Sequence, residues 1–379
     1  MVKKGLKKIM LVILFMHSFA FGANVKITPE NGMILDGKPF FPVAVYNQPI
    51  KMFDMLNGLG IDTFVVEELF GKETPKTYLD ELNKRNSYGV IKSSSYTNEL
   101  KNHPALLGWA QPDEPDIAGG KPIKVPRIPP EKIIADYKDM KNKDAFHPVY
   151  LNFGSGQAVG KPPSPVKMYY EFAKGADIVA FDLYPVNKYG DDMLHIVAKG
   201  MDRLRKYVDD KKPGWIWLEC SYIGDKGDLK APNASQLKTE VWMSIVHGAK
   251  AIGYFPHTWV PKYKCCEIPN DVQAEMKRTN AKIKAMTNIL LAPDSKREVK
   301  CETEGESRVD ILVKEFEEKI YIFAVNMKKK ADKAKFVISG IKETSVIVQD
   351  ENRKKEIKAG EFKDSFKEYE VHIYEINAK

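Results

Sequence analysis

Short apolar runs alternate with amphipathic stretches along the first two thirds of the chain. The runs fall at 41–46, 61–66, 88–92, 106–110, 148–153, 177–184, 214–218 and 251–255. Between them, 50–59, 76–85, 130–142, 166–173, 193–208 and 236–248 carry apolar residues three and four positions apart, the period of a helix with one buried face. The linker 93–104 is the weakest helix. An alternation of strand and helix that reaches eight strands predicts a closed (β/α)₈ TIM barrel rather than an open sheet, because no dinucleotide fingerprint opens the first unit. Gly154-Ser155-Gly156 with Gly160 superficially imitates such a loop. The Lys161-Pro162-Pro163-Ser164-Pro165 that follows cannot open the helix whose N-terminus would hold a pyrophosphate.

After a last long helix at 272–291 the texture changes at Pro293-Asp294-Ser295 to strands and turns with no helical period. Strands are expected at 308–316, 319–326, 334–338, 344–349, 355–357 and 368–376, which suits a small all-β sandwich. Few of its aromatics look free to stack on sugar, which favours a structural role for this part. A hairpin at 25–34, with turns at Asn31-Gly32 and Asp36-Gly37, precedes the barrel. The expected organisation is therefore a leader at 1–23, an α/β barrel with its hairpin at 24–294, and a β-sandwich at 295–379.

The leader reading rests on Lys3, Lys4, Lys7 and Lys8, an apolar run over 9–16, and small residues at Ala20, Gly22 and Ala23. This is the pattern of a cleaved secretory signal, and it predicts a secreted or periplasmic protein. The run is too short to span a bilayer and no later stretch is apolar for long enough, so no membrane anchor is expected. Of the formal charge of +8, four units belong to leader lysines, leaving +4 spread among interspersed Lys and Glu. That mixture describes a solvated surface and gives no support for nucleic-acid binding. The four cysteines allow disulfides in an exported protein, and Cys220 with Cys265 or Cys266 is the pairing to test; Cys301 lies in the sandwich. The bland alternative is free or buried thiols. No spacing suggests a zinc site, and no metal or organic cofactor is expected.

Barrel enzymes build their sites at the carboxyl ends of the strands. Two glutamates sit there: Glu114, in the tip Gln111-Pro112-Asp113-Glu114-Pro115 after the fourth strand, and Glu219, which ends the seventh strand Trp215-Ile216-Trp217-Leu218. Paired carboxylates flanking one cleft are the machinery of glycoside hydrolysis. Period-two alternation puts Trp215, Trp217 and Glu219 on one face of the seventh strand, and Gly108 and Ala110 inward on the fourth.

At these residues the sequence resembles the clan A glycoside hydrolases, over 38 to about 292. The segments that look alike are Leu35-Asp36-Gly37-Lys38-Pro39-Phe40-Phe41-Pro42, His103-Pro104-Ala105-Leu106-Leu107-Gly108-Trp109 and the Asp113-Glu114-Pro115 tip. The resemblance implies a retaining mechanism on a poly- or oligosaccharide with β-linkages, Glu114 serving as acid/base and Glu219 as nucleophile. It also implies that Tyr184, in Asp182-Leu183-Tyr184-Pro185, bonds the nucleophile, and that Trp259 lies under the sugar ring. The clan's usual Asn before the acid/base is here Asp113, which removes an amide donor and adds a charge that raises one of the two pKa values. Tyr46, Glu67, Glu68, Gln111, Asn152 and His257 are further mouth candidates by position. Two rival readings use the same barrel: a carbohydrate-binding protein that no longer cleaves, and a transglycosylase in which sugar replaces water. The loops 118–129 and 154–165 would decide endo or exo action.

Overall fold

A computed structural model of the chain describes residues 22–28, 30, 32–93, 97–117, 126–159, 166–224 and 230–378. Most of the expected leader lies outside these residues, as do most of loop 118–129 and the proline-rich part of 154–165. Among the described residues no helix is long and apolar enough to cross a membrane.

Eight parallel strands close into a barrel in chain order: β1 (Val43–Tyr46), β2 (Thr63–Val66), β3 (Tyr88–Lys92), β4 (Leu106–Ala110), β5 (Val149–Phe153), β6 (Ile178–Leu183), β7 (Gly214–Glu219) and β8 (Ala249–Phe255). β8 returns to β1 through Ile252↔Val43 and Tyr254↔Val45. The strands are buried on both faces, so two apolar layers form. Val43, Val45, Phe64, Val66, Ile216 and Leu218 face the helices. Ala44, Val65, Val90, Ala110, Tyr150, Ala180, Trp215, Trp217 and Ala251 fill the barrel interior.

Two bulky tryptophans fit inside because their neighbours are small. A Cβ on Gly253, opposite Trp217 in the β7–β8 register, would collide with the Trp217 ring. The expectation that Gly108 points inward is corrected. The β3–β4 register shifts at Gly89/Val90, which turns Leu107 into the interior cluster. Gly108 instead lets the backbone of Pro148 approach, where an added Cβ would lie 2.7 Å from its carbonyl oxygen.

A three-stranded sheet (Val25–Ile27, Met33–Leu35 and Lys38–Phe40) closes the opposite end of the barrel. Its Val25, Met33 and Leu35 join the interior cluster, so this antiparallel sheet is the plug under the core.

Beyond the last barrel helix come eight antiparallel strands: β9 (Val299–Thr303), β10 (Val309–Phe316), β11 (Lys319–Asn326), β12 (Asp332–Ile338), β13 (Thr344–Val348), β14 (Arg353–Ile357), β15 (Glu361–Phe366) and β16 (Val371–Asn377). They form a three-stranded sheet, β9-β12-β15, and a five-stranded one, β10-β11-β16-β13-β14. The two sheets enclose Ile320, Ile322, Phe336, Val346, Phe362 and Tyr374, a sandwich core separate from the barrel's. The outer side of the five-stranded sheet packs on the barrel through the helix Ala234–Val246. Trp242 stacks on Phe323 at 5.6 Å, and Thr239 donates to the Tyr369 carbonyl at 2.7 Å. That helix is buried on nearly every side, which is why it carries almost no surface charge.

All four cysteines are free thiols, with Cys220 buried. The expected bridge from Cys220 to Cys265 or Cys266 is therefore absent.

Candidate active site

The carboxyl ends of β1, β2, β4, β5, β6, β7 and β8 surround a cavity of about 390 Å³, within the range of small-ligand sites. Its lining includes Tyr46, Asn47, Glu67, Glu68, Asp113, Glu114, Asn152, Asp182, Tyr184, Lys188, Trp217, Phe255 and Trp259. Five of these are acids and one is a cation.

Glu114 is positioned by a strained tip. Its φ is +40°, in the left-handed region that L-residues avoid, a conformation found where surrounding contacts over-determine the backbone. Those contacts are visible. The Glu114 N–H donates to the Asn152 carbonyl at 3.1 Å. Asp116, two residues on, accepts from Gly154 N at 2.9 Å and from the Tyr169 hydroxyl at 2.7 Å. Gly154 is needed there, since a Cβ would sit 2.8 Å from Ile117 Cγ2 and 3.2 Å from Glu114 Oε1.

Asp182, at the end of β6, lines the same cavity, close enough to Glu114 for the Glu114 charge to act on it. Burial, and then the neighbouring Glu114 charge, push Asp182 well above the usual carboxylate range, which favours its protonated form.

Asp113 points into the same cavity. It accepts from Asn152 Nδ2 at 2.9 Å, and burial followed by the Glu114 charge pushes it up to about 6. Glu67 is pushed up to about 7, mainly by burial and then by Asp113. Its turn is built by Asn47, at φ +49°, whose Oδ1 accepts from Glu67 N at 2.9 Å and Glu68 N at 3.3 Å.

The aromatic wall is continuous. Tyr46 meets Trp217 edge-on at 5.5 Å and stacks on Phe255 at 5.8 Å. Tyr184 packs on Phe255 at 5.2 Å, with the Lys188 ammonium 5.1 Å above its ring. Trp217 is the buried floor, whereas Trp259, 51% exposed, stands at the rim beside His257 and Tyr263. Trp259 lines the cavity from this rim.

Glu219 does not line the cavity. Its side chain has no exposed surface. The turn after β6 folds over it: Oε1 accepts from Val186 N at 2.5 Å, and Oε2 accepts from Asn187 N at 2.7 Å and from Asn187 Nδ2. On its other side Glu219 meets Glu240, a fully buried acid of the helix Ala234–Val246, and burial raises the pKa of both. With three N–H groups aimed at it, Glu219 is the ionised member, and Glu240 carries the proton and donates. Tyr184 is not among the donors that hold Glu219.

Two further candidates lie behind the mouth. Gln111 is buried and gives its amide to the carbonyls of Ile133 and Gly175, both at 2.9 Å. His257, held neutral by burial with its pKa down to about 4, bonds the Tyr46 carbonyl at 3.1 Å and the Tyr263 hydroxyl at 3.0 Å. It positions Tyr46 and the rim and does not touch the cavity. Asp182, Asn187, Asn47 and Lys188 were not singled out from sequence. Asp182 could have been, because it shares the inward parity of Ala180 on β6.

Among the described residues no group of three His, Cys, Asp or Glu side chains is arranged to hold a metal ion.

No family profile matches the sequence, and no curated protein sequence matches it either. The fold has many solved counterparts. One, described as a glycoside hydrolase, is similar over 94% of this chain and 97% of its own, at 12% identity and a TM-score of 0.59. A family 5 glycoside hydrolase from Bacteroides vulgatus has the same identity and TM-score, over 93% of each chain. AmyP, solved with maltose, is 8% identical over 88% of this chain and 96% of its own, with a TM-score of 0.54. The architecture is thus a (β/α)₈ barrel with a C-terminal β-sandwich, a fold it shares with these solved structures.

Proposed function

We propose that the chain is an exported glycoside hydrolase that cleaves β-linkages of a poly- or oligosaccharide at this mouth, with Glu114 as the acid/base. The observation that carries the reading is the placement of Glu114 on a strained strand-end tip that opens into the aromatic-lined cavity. A carboxylate so placed, beside an acid that favours its protonated form, can deliver a proton to a glycosidic oxygen and take one back from water. Sugar rings stack on aromatic faces, and Tyr46, Tyr184, Phe255 and Trp259 supply them. The lysine-rich, apolar leader supports export, which suits an enzyme whose substrate is a polymer outside the cell.

The two-glutamate retaining mechanism, with Glu219 attacking the anomeric carbon, is a second reading. It is favoured by the position of Glu219 at the end of β7, two residues beyond the cavity-lining Trp217. It requires Glu219 to leave Val186 and Asn187 and to come within about 5 to 5.5 Å of Glu114.

The test is sugar release by the mature protein from a panel of β-linked oligo- and polysaccharides, beside Glu114→Ala, Glu219→Ala and Asp182→Asn. Loss of activity in Glu114→Ala is expected. A glycosyl azide formed by Glu219→Ala in added azide would identify Glu219 as the nucleophile. Products longer than the substrate would show transfer to sugar in place of water. Binding of glycan with no cleavage by the parent would overturn the enzyme reading.

A further inference from the structure

The acid/base assignment leaves the nucleophile to be found, and the inference below rests on that assignment. Glu219 is sealed behind the turn Val186-Asn187 with three donors on its oxygens. Asp182 lines the cavity but favours its protonated form, and a protonated acid is a poor nucleophile. Asp113 is the remaining acid adjoining Glu114 in the chain, and its surroundings are those of an acceptor. Asn152 Nδ2 donates to it at 2.9 Å, and the Tyr46 ring stands in the same lining.

A carboxylate held by a side-chain amide beside a proton-transfer group is suited to receive a further N–H, from the substrate. Sugars that carry nitrogen at C2 supply one. The cavity also discriminates by charge: Glu67, Glu68, Asp113, Glu114 and Asp182 outnumber the cations that act on them, Lys188 in the lining and Lys92 and Arg127 nearby, a field that disfavours uronates and sulfated sugars. The Tyr46, Trp217 and Phe255 rings offer an apolar wall beside Asp113 on which an acetyl methyl can pack.

We propose that the sugar cleaved at Glu114 is a 2-acetamido sugar, and that its own amide oxygen, oriented by Asp113, is the nucleophile. In the first step the amide oxygen forms a bond to C1 as the bond from C1 to the leaving oxygen breaks. Glu114 delivers to that oxygen a proton drawn from Asp182, and the amide N–H, acidified as the oxygen attacks, donates to Asp113. In the second step Glu114 takes a proton from water and returns it to Asp182, the water oxygen bonds to C1, and the C1–O bond of the cyclic intermediate breaks to restore the acetamide. The net reaction is hydrolysis with retained configuration, and no enzyme carboxylate is esterified.

The experiment compares 4-nitrophenyl β-glycosides of 2-acetamido glucose and galactose with their 2-hydroxyl counterparts, using the mature protein. It adds the N-trifluoroacetyl analogues, whose amide oxygen is a weak nucleophile. The expected result is kcat/KM at least about 100-fold higher for the acetamido sugars, with kcat falling at least about tenfold on fluorination. Asp113→Asn is expected to lower kcat on the acetamido sugar with little change in KM. The fluorination series needs no variant, so a folding defect in Asp113→Asn leaves the test intact. Equal cleavage of 2-hydroxyl glycosides, or indifference to fluorination, overturns this inference and leaves the hydrolase reading standing. Cleavage of no glycoside at all overturns both.

Discussion

Asn187 grips Glu219 twice, through its backbone N–H at 2.7 Å and through its side-chain Nδ2. The same amide also donates to the Ser221 carbonyl, and its Oδ1 accepts from Ile223 N, both at 3.0 Å. One side chain thereby staples the turn after β6 to the segment after β7, with a buried carboxylate as the centre of the staple. That turn carries Tyr184 and Lys188 into the cavity, so an ion that touches no solvent sets the position of two residues that line the mouth.

The Glu219–Glu240 pair makes an asymmetric prediction. Glu240 is the protonated member, and a Gln in its place keeps a donor for Glu219. Glu240→Gln should cost less than about 1 kcal/mol. Glu219→Gln puts an NH₂ group among three N–H donors and should cost roughly 3 kcal/mol or more, lowering Tm by about 5 °C or more. Thermal melts at pH 7 check both. Equal losses in the two variants would show that the proton sits elsewhere.

Much of the barrel was legible because its period is unambiguous. The runs 88–92 and 106–110 coincide with β3 and β4, and alternation along β7 correctly put Trp215 and Trp217 inside. Alternation failed at Leu107, where a register shift rather than the sequence chooses the face. In the sandwich, β9 and β15 went unseen. Val299-Lys300-Cys301-Glu302-Thr303 is half-buried only at alternate positions and Glu361-Phe362-Lys363-Asp364-Ser365-Phe366 is buried only at alternate ones, with polar or charged residues between, so neither makes an apolar run. At the site, Tyr46, Glu67, Asp113, Glu114, Tyr184 and Trp259 do meet in one cavity, while Gln111, Glu219 and His257 lie behind it. Strand parity reports which way a side chain leaves the backbone. It does not report whether a neighbouring loop then folds over it, and the turn 185–188 does this to Glu219.

Asp113 should be a functional residue held at a cost in stability. Its folded pKa of about 6 lies above the ordinary value of 3.8. Between those values the folded state binds more protons than the unfolded chain, so stability falls as pH rises through the window and the deficit is complete above it. Asp113→Asn removes the charge and should stabilise the protein by about 2 kcal/mol at pH 7, with the gain shrinking toward pH 4. Activity should run the opposite way, falling below about pH 6 as the acceptor is protonated. Melts across pH 4 to about 8, set beside a pH–rate profile, test the two limbs separately.

His247 joins the barrel to the sandwich, contacting Asp202 at 2.9 Å through Nδ1 and Asp310 of β10 at 3.0 Å through Nε2. Burial works against its charge, but the hydrogen bonds and charges of the two aspartates win and push it up to about 9. The contribution of a raised histidine is fully present below its unfolded pKa near 6.5 and is lost as pH rises through 9. His247→Gln should therefore cost about 2 kcal/mol at pH 6 and almost nothing above pH 10. A melt series of parent and variant over that range reads the difference, and a constant gap at all pH values would assign the loss to packing.

Gly154 offers the most selective way to disturb Glu114 without touching its chemistry. Its φ of −67° is open to any residue, so only space forbids a side chain. A methyl there would meet Ile117 Cγ2 at 2.8 Å and Glu114 Oε1 at 3.2 Å. One of the two must move, and the carboxylate at the open cavity moves more easily than a side chain beneath the tip. Displacing a proton-transfer group by even a fraction of an ångström degrades its alignment with the leaving oxygen. Gly154→Ala should thus lower kcat at least about tenfold while costing no more than about 1 kcal/mol of stability. Gly154→Ser, larger still, should lower kcat further. If Gly154→Ala keeps the parent's kcat, the close approach of this backbone does not govern where Glu114 sits.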